Sequence, residues 1–301
     1  MKCIPHADDC GLTADVTRDI FACIGEGRLA STSVIMGGER AGESLDRLAG
    51  MPHVRACLHL NLLEGRAVAP PKDVACLVGP DGFFRHGLAG LWSRLAASSG
   101  RGRRTLLAAV RTEWEAQIEA FKGRYRPGGA SPDLRLDGHL HVHAMPELDE
   151  VMEGILAAHA PAWVRLPLEP PHAAPLPFRN RVTGMLRRAL LAGWSKGLAR
   201  MLERRGVPHN AWLSGVLSGG CMDEGRLRAS LAAIRAAGCG EDDVVEIMLH
   251  PGGDGAPRSS PCIRASHRGF FASPARKVEL ALVLSGRLDA VLEDLGATRQ
   301  R

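Results

Sequence analysis

The sequence predicts a mostly parallel α/β fold, in which a sheet or barrel is surrounded by helices. Short apolar runs alternate with longer segments of helical period along all 301 residues, as in chains built from strand–helix–strand units. Polar side chains lie at five separate predicted strands, as expected at the carboxyl edge of a parallel sheet, where functional groups collect. Because α/β barrels of this length are commonly one domain, we expect a single domain over residues 1–301.

The strands are predicted from short apolar runs and the helices from apolar residues at 3.6-residue spacing. The first helix has Thr13 or Asp15 as its N-terminal cap and Gly27 as its stop. The predicted strands are residues 2–6, 31–38, 54–62, 134–143, 162–168 and 244–252. The predicted helices are residues 16–27, 39–51, 104–123, 148–160, 183–204, 225–238 and 274–295.

Two segments interrupt this alternation, near residues 64–103 and 169–205, and are predicted to be insertions at the rim that shape the substrate cleft. The second contains a basic amphipathic helix over residues 183–204. We interpret this helix as an outer barrel helix or a homodimer contact in preference to a membrane-binding segment. Its apolar stripe consists of Leu186, Leu190, Trp194, Leu198 and Met201.

The bulk composition narrows the class of protein. The formal charge of +5 is concentrated near residues 101–126 and 179–205, which is too local to indicate nucleic-acid binding. The first residues contain no apolar signal-peptide core, and no run reaches the roughly 18 apolar residues of a membrane span. Eight scattered cysteines without a CxxC pair indicate reduced thiols. We therefore expect a cytoplasmic protein.

Two short segments supply acidic and imidazole groups at strand ends. His6, Asp8 and Asp9 lie at the end of the first predicted strand, in the segment HADDC. One carboxylate can bind a metal while the other accepts a proton from water. His59 and Asn61 share a face of the strand that contains LHLNL. The alternatives are an acid cluster that complements a helix N-terminus and a hydrogen-bonded core histidine, so neither segment identifies a site alone.

The segment DGHLHVH, residues 137–143, is more specific. If the strand continues through it, His139, His141 and His143 project to the same side. Burying three imidazoles without partners is costly, which favours a metal or an acidic pocket over simple packing. The alternative is a surface strand with solvated histidines. Not all three need to bind a metal, because some can lie behind the ligands.

Two further strands carry polar groups near their ends. Arg165 lies in AWVRLPL, and His250 closes VVEIMLH before a Pro-Gly-Gly turn. We expect that turn to be open, so that His250 can move toward a substrate and act as a general acid. No GxSxG elbow, P-loop or GxGxxG occurs at the required positions, so a serine hydrolase, an NTPase and a dinucleotide-binding protein have no support.

The chain resembles the YdjC-like carbohydrate deacetylases in the order and separation of four motifs, which are HADDCG, LHLNL, DGHLHVH and MLHPG. That family includes chitooligosaccharide deacetylases and a branch associated with hopanoid biosynthesis. The resemblance covers about residues 3–252. It implies a distorted (β/α) barrel of the glycoside hydrolase/deacetylase type, which uses a divalent metal to remove acetyl groups from N-acetyl amino sugars.

The resemblance also implies roles for individual residues. Asp9, His59 and His139 match the metal ligands, Asp8 the catalytic base and His250 the general acid. The family usually reads NADDFG, so His6 and Cys10 depart from its pattern, and His6 adds a titratable group near the metal. The residues implied as substrate-binding or as supports behind the ligands are His6, Asn61, His141, His143 and Arg165.

The chemistry of amide hydrolysis suits these residue types. One divalent ion on an Asp–His–His set leaves positions for a water and for the acetyl oxygen. Mg²⁺ and Zn²⁺ are the expected ions, although such a mixed nitrogen and oxygen site also accommodates Mn²⁺ or Co²⁺. The expected partner is an N-acetylated amino sugar or a glycoside that contains one.

Two other functions stay open from the sequence. A metal-dependent phosphoesterase on a similar barrel would need ligands for two or three metals, and Glu246 shares a strand face with His250. A non-catalytic sugar-binding relative is the other alternative, but the complete set of acid, base and ligands argues against it. The sugar itself cannot be read from the sequence. The candidate stacking platforms are Trp92, Trp114, Trp163, Trp194 and Trp212.

Overall fold

A parallel sheet forms the centre of the molecule in the computed structural model, which describes residues 1–173, 178–253 and 260–300. Its strand order is β5-β4-β3-β2-β1-β7-β6, and β8 pairs with the start of β1. The strands are β1 (Lys2–Cys10), β2 (Ser31–Val34), β3 (Arg55–Leu60), β4 (Arg135–Gly138), β5 (Trp163–Val164), β6 (Trp212–Ser214), β7 (Val244–Leu249) and β8 (Thr298–Arg299). The predicted α/β class is confirmed.

The helices connect successive strands. They are α1 (Ala14–Gly25), α2 (Ala41–Ala49), α3 (Leu88–Ala97), α4 (Gly100–Arg124), α5 (Asp149–His159), α6 (Phe178–Arg205), α7 (Glu224–Ala236), α8 (Arg268–Phe271), α9 (Ala275–Leu284) and α10 (Arg287–Asp294). Thr13 caps α1, because its side chain accepts a hydrogen bond from the Val16 amide. Except for Lys2, every residue of β1 is buried, as expected for a strand in the middle of a parallel sheet.

Hydrogen bonds outside the regular strand pairing connect β5 and β6, the two edge strands of the sheet. The Val164 amide at the end of β5 donates to the Pro208 carbonyl, which precedes β6, at 3.0 Å. The Asn210 side chain bridges the same gap, since it accepts from the Leu166 amide at 2.7 Å and donates to the Leu166 carbonyl at 2.8 Å. These bonds curl the sheet into a distorted half-barrel and bring the carboxyl ends of its strands together.

Two predicted elements end earlier than their sequence patterns indicate. The prediction of a strand through residue 143 was wrong, because β4 stops at Gly138 and Leu140 and His141 have φ of 50° and 61°. These left-handed values are incompatible with an extended strand. Gly138 is required at this point, because a Cβ there would lie 2.6 Å from the His143 ring. The predicted helix 274–295 is divided at Gly286, which has φ of 76°.

The two insertions differ in structure. The first contains isolated antiparallel bridges, such as Arg66 with Phe83, followed by α3. The second contains α6, whose predicted apolar stripe packs largely into the protein: Trp194, Leu198 and Met201 are buried, whereas Leu186 is 67% exposed. Most of this stripe is therefore covered by other parts of the chain. Within the described ranges, the apolar stretches of the helices are too short to cross a membrane.

Candidate metal centre

The predicted site residues converge at the carboxyl edge of the sheet. Because the strands are parallel, side chains at their ends face one region although they are far apart in sequence. The groups that line one cavity at this edge are Asp8 and Asp9 of β1, His59 of β3, His139 and His141 after β4, and His250 after β7. His6, Arg165 and His143 lie behind them, and all three are buried.

Asp9, His59 and His139, which we call the metal group, have potential ligand atoms within 4.8 Å of one another. The Nδ1 atom of His139 lies 2.9 Å from Asp9 Oδ1, and the Nε2 atom of His59 lies 3.7 Å from the same oxygen. Within the described residues, Asp9 Oδ2 and His139 Nε2 are buried without a hydrogen-bond partner. Buried polar atoms without partners are rare in proteins, and a bound cation would compensate for them.

The backbone at Asp9 separates the two adjacent carboxylates. Asp9 has φ of 70°, and the register between β1 and β2 shifts between Ala7 and Cys10. A left-handed conformation of a non-glycine residue costs on the order of 1–3 kcal/mol and is found mainly at functional sites. As a result, Asp9 contacts the imidazoles of the metal group while Asp8 contacts Arg165.

His59 is oriented by Asp137, its neighbour in the register between β3 and β4. The Nδ1 atom of His59 lies 2.7 Å from Asp137 Oδ1, so Nε2 is left for a ligand. Burial opposes protonation of His59, but the charges of Asp137 and Asp8 outweigh it and raise the pKa of the imidazole. Carboxylates that hold a histidine in this way are typical of metal sites. Sequence analysis quoted Asp137 within its motif but gave it no role.

Arg165 organises the carboxylates beneath the cavity. Its guanidinium donates to both oxygens of Asp8, at 2.7 and 2.8 Å, and to Glu246 at 2.7 Å, and it lies 2.9 Å from Asp137. Burial alone would raise the pKa of Asp8, but the charge of Arg165 and its hydrogen bonds lower it below the usual range. The same carboxylates raise the pKa of Arg165, against the effect of burial. Arg165 therefore keeps Asp8 ionised and fixed in position.

The charge balance of the cluster fits a divalent cation. Burial opposes ionisation of Asp8, Asp9 and Asp137, yet nearby cationic groups lower the pKa of all three. Asp8, Asp137 and Glu246 contact the guanidinium of Arg165, and Asp9 adds a fourth carboxylate, so the carboxylates outnumber this cation. Buried charge without compensation is costly. The donor set of one carboxylate and two imidazoles also suits Zn²⁺ and related ions.

His6 lies beneath the metal group and contacts three carboxylates. Its Nε2 atom is 3.3 Å from Asp8 and from Asp137, and its Nδ1 atom is 3.4 Å from Glu246. The imidazole therefore belongs to the carboxylate layer around Arg165, and the cavity lining does not include it. The histidine that replaces the usual family asparagine therefore contacts Asp8 and the carboxylates around it.

The three histidines after β4 have separate environments, so the prediction that they share one strand face was wrong. His139 faces Asp9, His141 lines the cavity, and His143 donates from Nε2 to the Arg165 carbonyl at 2.8 Å. Burial lowers the pKa of His143 to about 4 and the pKa of His141 well below its ordinary value. Both imidazoles are therefore neutral near pH 7. The left-handed residues Leu140 and His141 turn the chain so that the rings diverge.

His250 is held in place by its backbone. Its Nε2 atom lies 3.9 Å from Asp8 Oδ2, and its ring packs edge-on against Phe270 with centroids 5.4 Å apart. Its amide donates to Glu279, and its carbonyl accepts from Arg276 at 3.0 Å. The turn is therefore closed around α9 rather than open as the sequence indicated. Burial lowers the pKa of His250 to about 4, against the charges of Asp8 and Asp9.

The cavity above these groups has a volume of about 250 Å³. Acidic and imidazole groups and Arg187 line one part of the cavity, and hydrophobic side chains form an apolar wall. The α6 insertion contributes to that wall. Of the five tryptophans, Trp194 lines the cavity and Trp114 is buried in the core. The apolar wall includes Leu140, Leu190, Leu191, Trp194, Val216 and Phe270.

Asn61 does not line the cavity. Its side-chain oxygen accepts from the amides of Leu63 and Glu64, at 2.9 and 3.1 Å, and its side-chain nitrogen donates to the Glu64 carbonyl. Asn61 therefore shapes the loop after β3. Sequence analysis also missed Glu64 and His267, which lie together beside His139. They are 203 residues apart in sequence, and neither occurs in a motif with recognisable spacing.

Fold and site together define a parallel α/β protein with an Asp–His–His centre at the carboxyl edge of its sheet. Residues 2–294 match the family model described as YdjC-like protein. The chain therefore belongs to the YdjC-like protein family, and the resemblance inferred from the four sequence motifs is confirmed.

Several relatives carry the name carbohydrate deacetylase. The mouse protein is 30% identical over 304 residues, which cover 98% of this chain and 92% of the mouse protein. The human protein is 35% identical over 170 residues, or 56% of this chain and 49% of that protein. A Proteus mirabilis relative named chitooligosaccharide deacetylase is 26% identical over 145 residues, covering 48% of this chain and 51% of its own length.

A solved structure supports the fold. A crystal structure of an Enterococcus faecalis V583 protein, proposed to be a cellobiose-phosphate cleavage protein, aligns with a TM-score of 0.64. The alignment covers 100% of this chain and 97% of the other, at 20% sequence identity. This likeness concerns the fold alone.

Proposed function

We propose that the chain is a metal-dependent hydrolase that removes the N-acetyl group from an amino sugar or from a glycoside that contains one. One observation carries the proposal: the Asp9–His59–His139 group lies in the same cavity as Asp8 and His250. Metal ligands, a carboxylate and an imidazole in one cavity are the groups that amide hydrolysis requires. The relatives named carbohydrate deacetylases support an acetylated sugar as the substrate class.

Asp9, His59 and His139 would hold the metal. When bound, a divalent ion polarises the acetyl carbonyl and makes water more acidic. Asp137 keeps His59 in the orientation needed for a ligand, with 2.7 Å between Nδ1 and Oδ1. Mg²⁺ and Zn²⁺ are the proposed ions, and the donor set also accommodates Mn²⁺ and Co²⁺.

Asp8 is the proposed base and His250 the proposed acid. Asp8 accepts a proton from the attacking water, while the bidentate contact with Arg165 holds its carboxylate in place. His250 must carry a proton when the amine leaves, although burial lowers the pKa of its imidazole to about 4. Because Asp8 Oδ2 and His250 Nε2 lie 3.9 Å apart, which is longer than a hydrogen bond, the proton would pass from base to acid through a bridging water within one turnover.

A single metal is proposed because the other two candidate groups are unsuitable. His6, Asp8 and Asp137 surround Arg165, whose guanidinium lies 2.7 Å from Asp8 and 2.9 Å from Asp137. Glu64 and His267 would need His139 as a shared ligand, and a neutral imidazole binds one ion through one nitrogen. The phosphoesterase alternative, which requires two or three metals, is therefore not favoured by the described residues.

The apolar wall formed partly by α6 provides space for the acetyl methyl group and for an apolar group attached to the sugar. An assay of acetate release from N-acetyl sugars, chitooligosaccharides and lipid-linked glycosides, with added metal and with chelator, tests the proposal. We expect metal-dependent acetate release from at least one class. Phosphate release from sugar phosphates, with no acetate from any substrate, would contradict it.

A further inference from the structure

Glu64 and His267 form a buried carboxylate–imidazole pair that the proposed reaction does not use. Glu64 is 0% exposed, and its carboxylate accepts a hydrogen bond from the His267 ring through Nδ1. The second carboxylate oxygen accepts from the Arg264 amide at 2.7 Å. Burying a carboxylate is costly unless it is well paired, so the pair has a defined geometry.

Two segments distant in sequence build this pair. Asn61 fixes the loop that carries Glu64, because its side chain binds both the amide and the carbonyl of Glu64. The Gly65 amide donates to the Cys262 carbonyl at 2.8 Å, which attaches this loop to the segment that carries His267. The environment of His267 is therefore fixed by the fold rather than by solvent.

The His267 ring lines the cavity beside the metal group. Its centroid is 6.4 Å from that of His139, and its side chain is 25% exposed. When the imidazole is neutral and Nδ1 donates to the Glu64 carboxylate, Nε2 carries no proton. Nε2 makes no hydrogen bond to the described residues, and the ring lines the cavity. The ring thus presents a hydrogen-bond acceptor.

We propose that His267, oriented by Glu64, accepts a hydrogen bond from a hydroxyl group of the sugar ring and so determines which amino sugar is turned over. The inference rests on the proposed function, because it places the acetamido group at the metal and the remaining sugar hydroxyls toward the cavity rim. A hydroxyl is the partner that matches an imidazole acceptor, and sugars present several at fixed positions. His267 is thus a specificity-determining residue.

Hydroxyl deletion combined with mutation tests the contact. The probes are the p-nitrophenyl glycoside of N-acetylglucosamine and its 3-, 4- and 6-deoxy analogues. With the wild-type protein, loss of the contacting hydroxyl should raise KM about 10-fold, as expected for one hydrogen bond in a cavity. With His267→Ala, KM for the parent glycoside should rise by a similar factor, and that deletion should have no further effect. If each hydroxyl deletion changes KM by the same factor in the wild type and in His267→Ala, the inference is overturned.

Matched controls separate this role from a structural one. His86→Ala removes a partly buried histidine of the first insertion that does not line the cavity, and it should leave KM unchanged. Glu64→Gln should raise KM, because the amide orients His267 less firmly. Glu113→Gln should not, although Glu113 is also 0% exposed and its carboxylate accepts hydrogen bonds from the amides of Val68 and Ala69. A rise in KM with Glu113→Gln equal to that with Glu64→Gln would show a general effect of folding.

Metal content distinguishes the pair from a second metal site. His267→Ala should retain the same number of metal equivalents per chain as the wild type, and a loss of metal would identify His267 as a ligand and overturn the inference. If the wild type releases no acetate from these glycosides, the proposed function fails for them. The His267 contact is then tested separately by calorimetric Kd values for the same four compounds, and Kd values that are equal for wild type and His267→Ala would refute it.

Discussion

Asp137 offers a sensitive test of the metal centre, because it contacts a proposed ligand without being one. Asp137→Asn preserves the shape of the side chain and an oxygen that can face His59 Nδ1. In the wild-type protein, Asp137 Oδ1 lies 2.7 Å from this nitrogen. The change removes a negative charge beneath the site and converts a charge-assisted hydrogen bond into a neutral one. Such bonds differ by about 1–1.5 kcal/mol, which corresponds to roughly a 10-fold change in affinity. Carboxylates behind metal ligands typically contribute 10–100-fold, so we expect the Kd for metal to rise by about that factor.

Competition with a chromophoric chelator measures this Kd. Asp133→Asn, a change at an exposed aspartate near the start of β4, is the matched control and should leave the Kd unchanged. Because Asp137 also contacts Arg165, thermal unfolding must show that the variant is folded at the assay temperature. A folded Asp137→Asn protein that binds metal within twofold of wild type would refute the assignment of His59 as a ligand held by Asp137.

Three further predictions concern acid–base groups. Asp8→Asn should keep the bound metal but lose kcat by about 10²–10⁴-fold, the usual contribution of a general base. Steady-state kinetics and elemental analysis measure the two effects, and loss of the metal would reassign Asp8 as a ligand. His250→Ala should also keep metal but lose kcat by about 10²–10⁴-fold, because no group then protonates the leaving amine; a kcat near that of the wild type would show that another group is the acid. Burial raises the pKa of the Glu279 carboxyl from 4.5 to about 7, so the contribution of this group to folding stability is present below pH 4.5 and is lost as the pH rises through 7. The Tm of Glu279→Gln should therefore fall less between pH 5 and pH 8 than the Tm of the wild type. Equal falls in Tm would contradict the raised pKa.

The fold class could be predicted because its signal is repeated along the chain. Alternation of apolar runs with helical segments identifies parallel units, and most strands and helices lie within a few residues of their predicted bounds. The short strand β6 was missed because three residues carry too little pattern. Its position depends on hydrogen bonds across the sheet gap, such as those of Asn210 with Leu166.

The candidate site could be predicted only where function produces a local motif. Asp8, Asp9, His59, His139 and His250 occur at strand ends, and parallel topology brings them together. Groups that support them depend on tertiary contacts between distant segments, which a linear sequence does not show. The left-handed turn at Leu140 and His141 was missed for a related reason.

The contacts behind the site give clear examples of this limit. Arg276 and Glu279 of α9 hold the backbone of His250, and Glu64 of the loop after β3 orients His267. None of these pairs lies within one motif. The Pro-Gly-Gly turn after His250 appears open in sequence, but a Cβ at Gly252 would lie 3.1 Å from the Arg276 guanidinium, so the glycine permits close packing rather than mobility.

Metal dependence with a single ion is the central claim, and one titration tests it most directly. Chelator-stripped protein receives increasing equivalents of Zn²⁺ or Mg²⁺ while acetate release from an accepted N-acetyl sugar is recorded, with the Asp9→Asn variant in parallel. The account predicts no activity without metal, a linear rise that ends at one equivalent per chain, and no activity of Asp9→Asn at that equivalence. Full activity of the stripped protein, or a rise that continues to two equivalents, would contradict it.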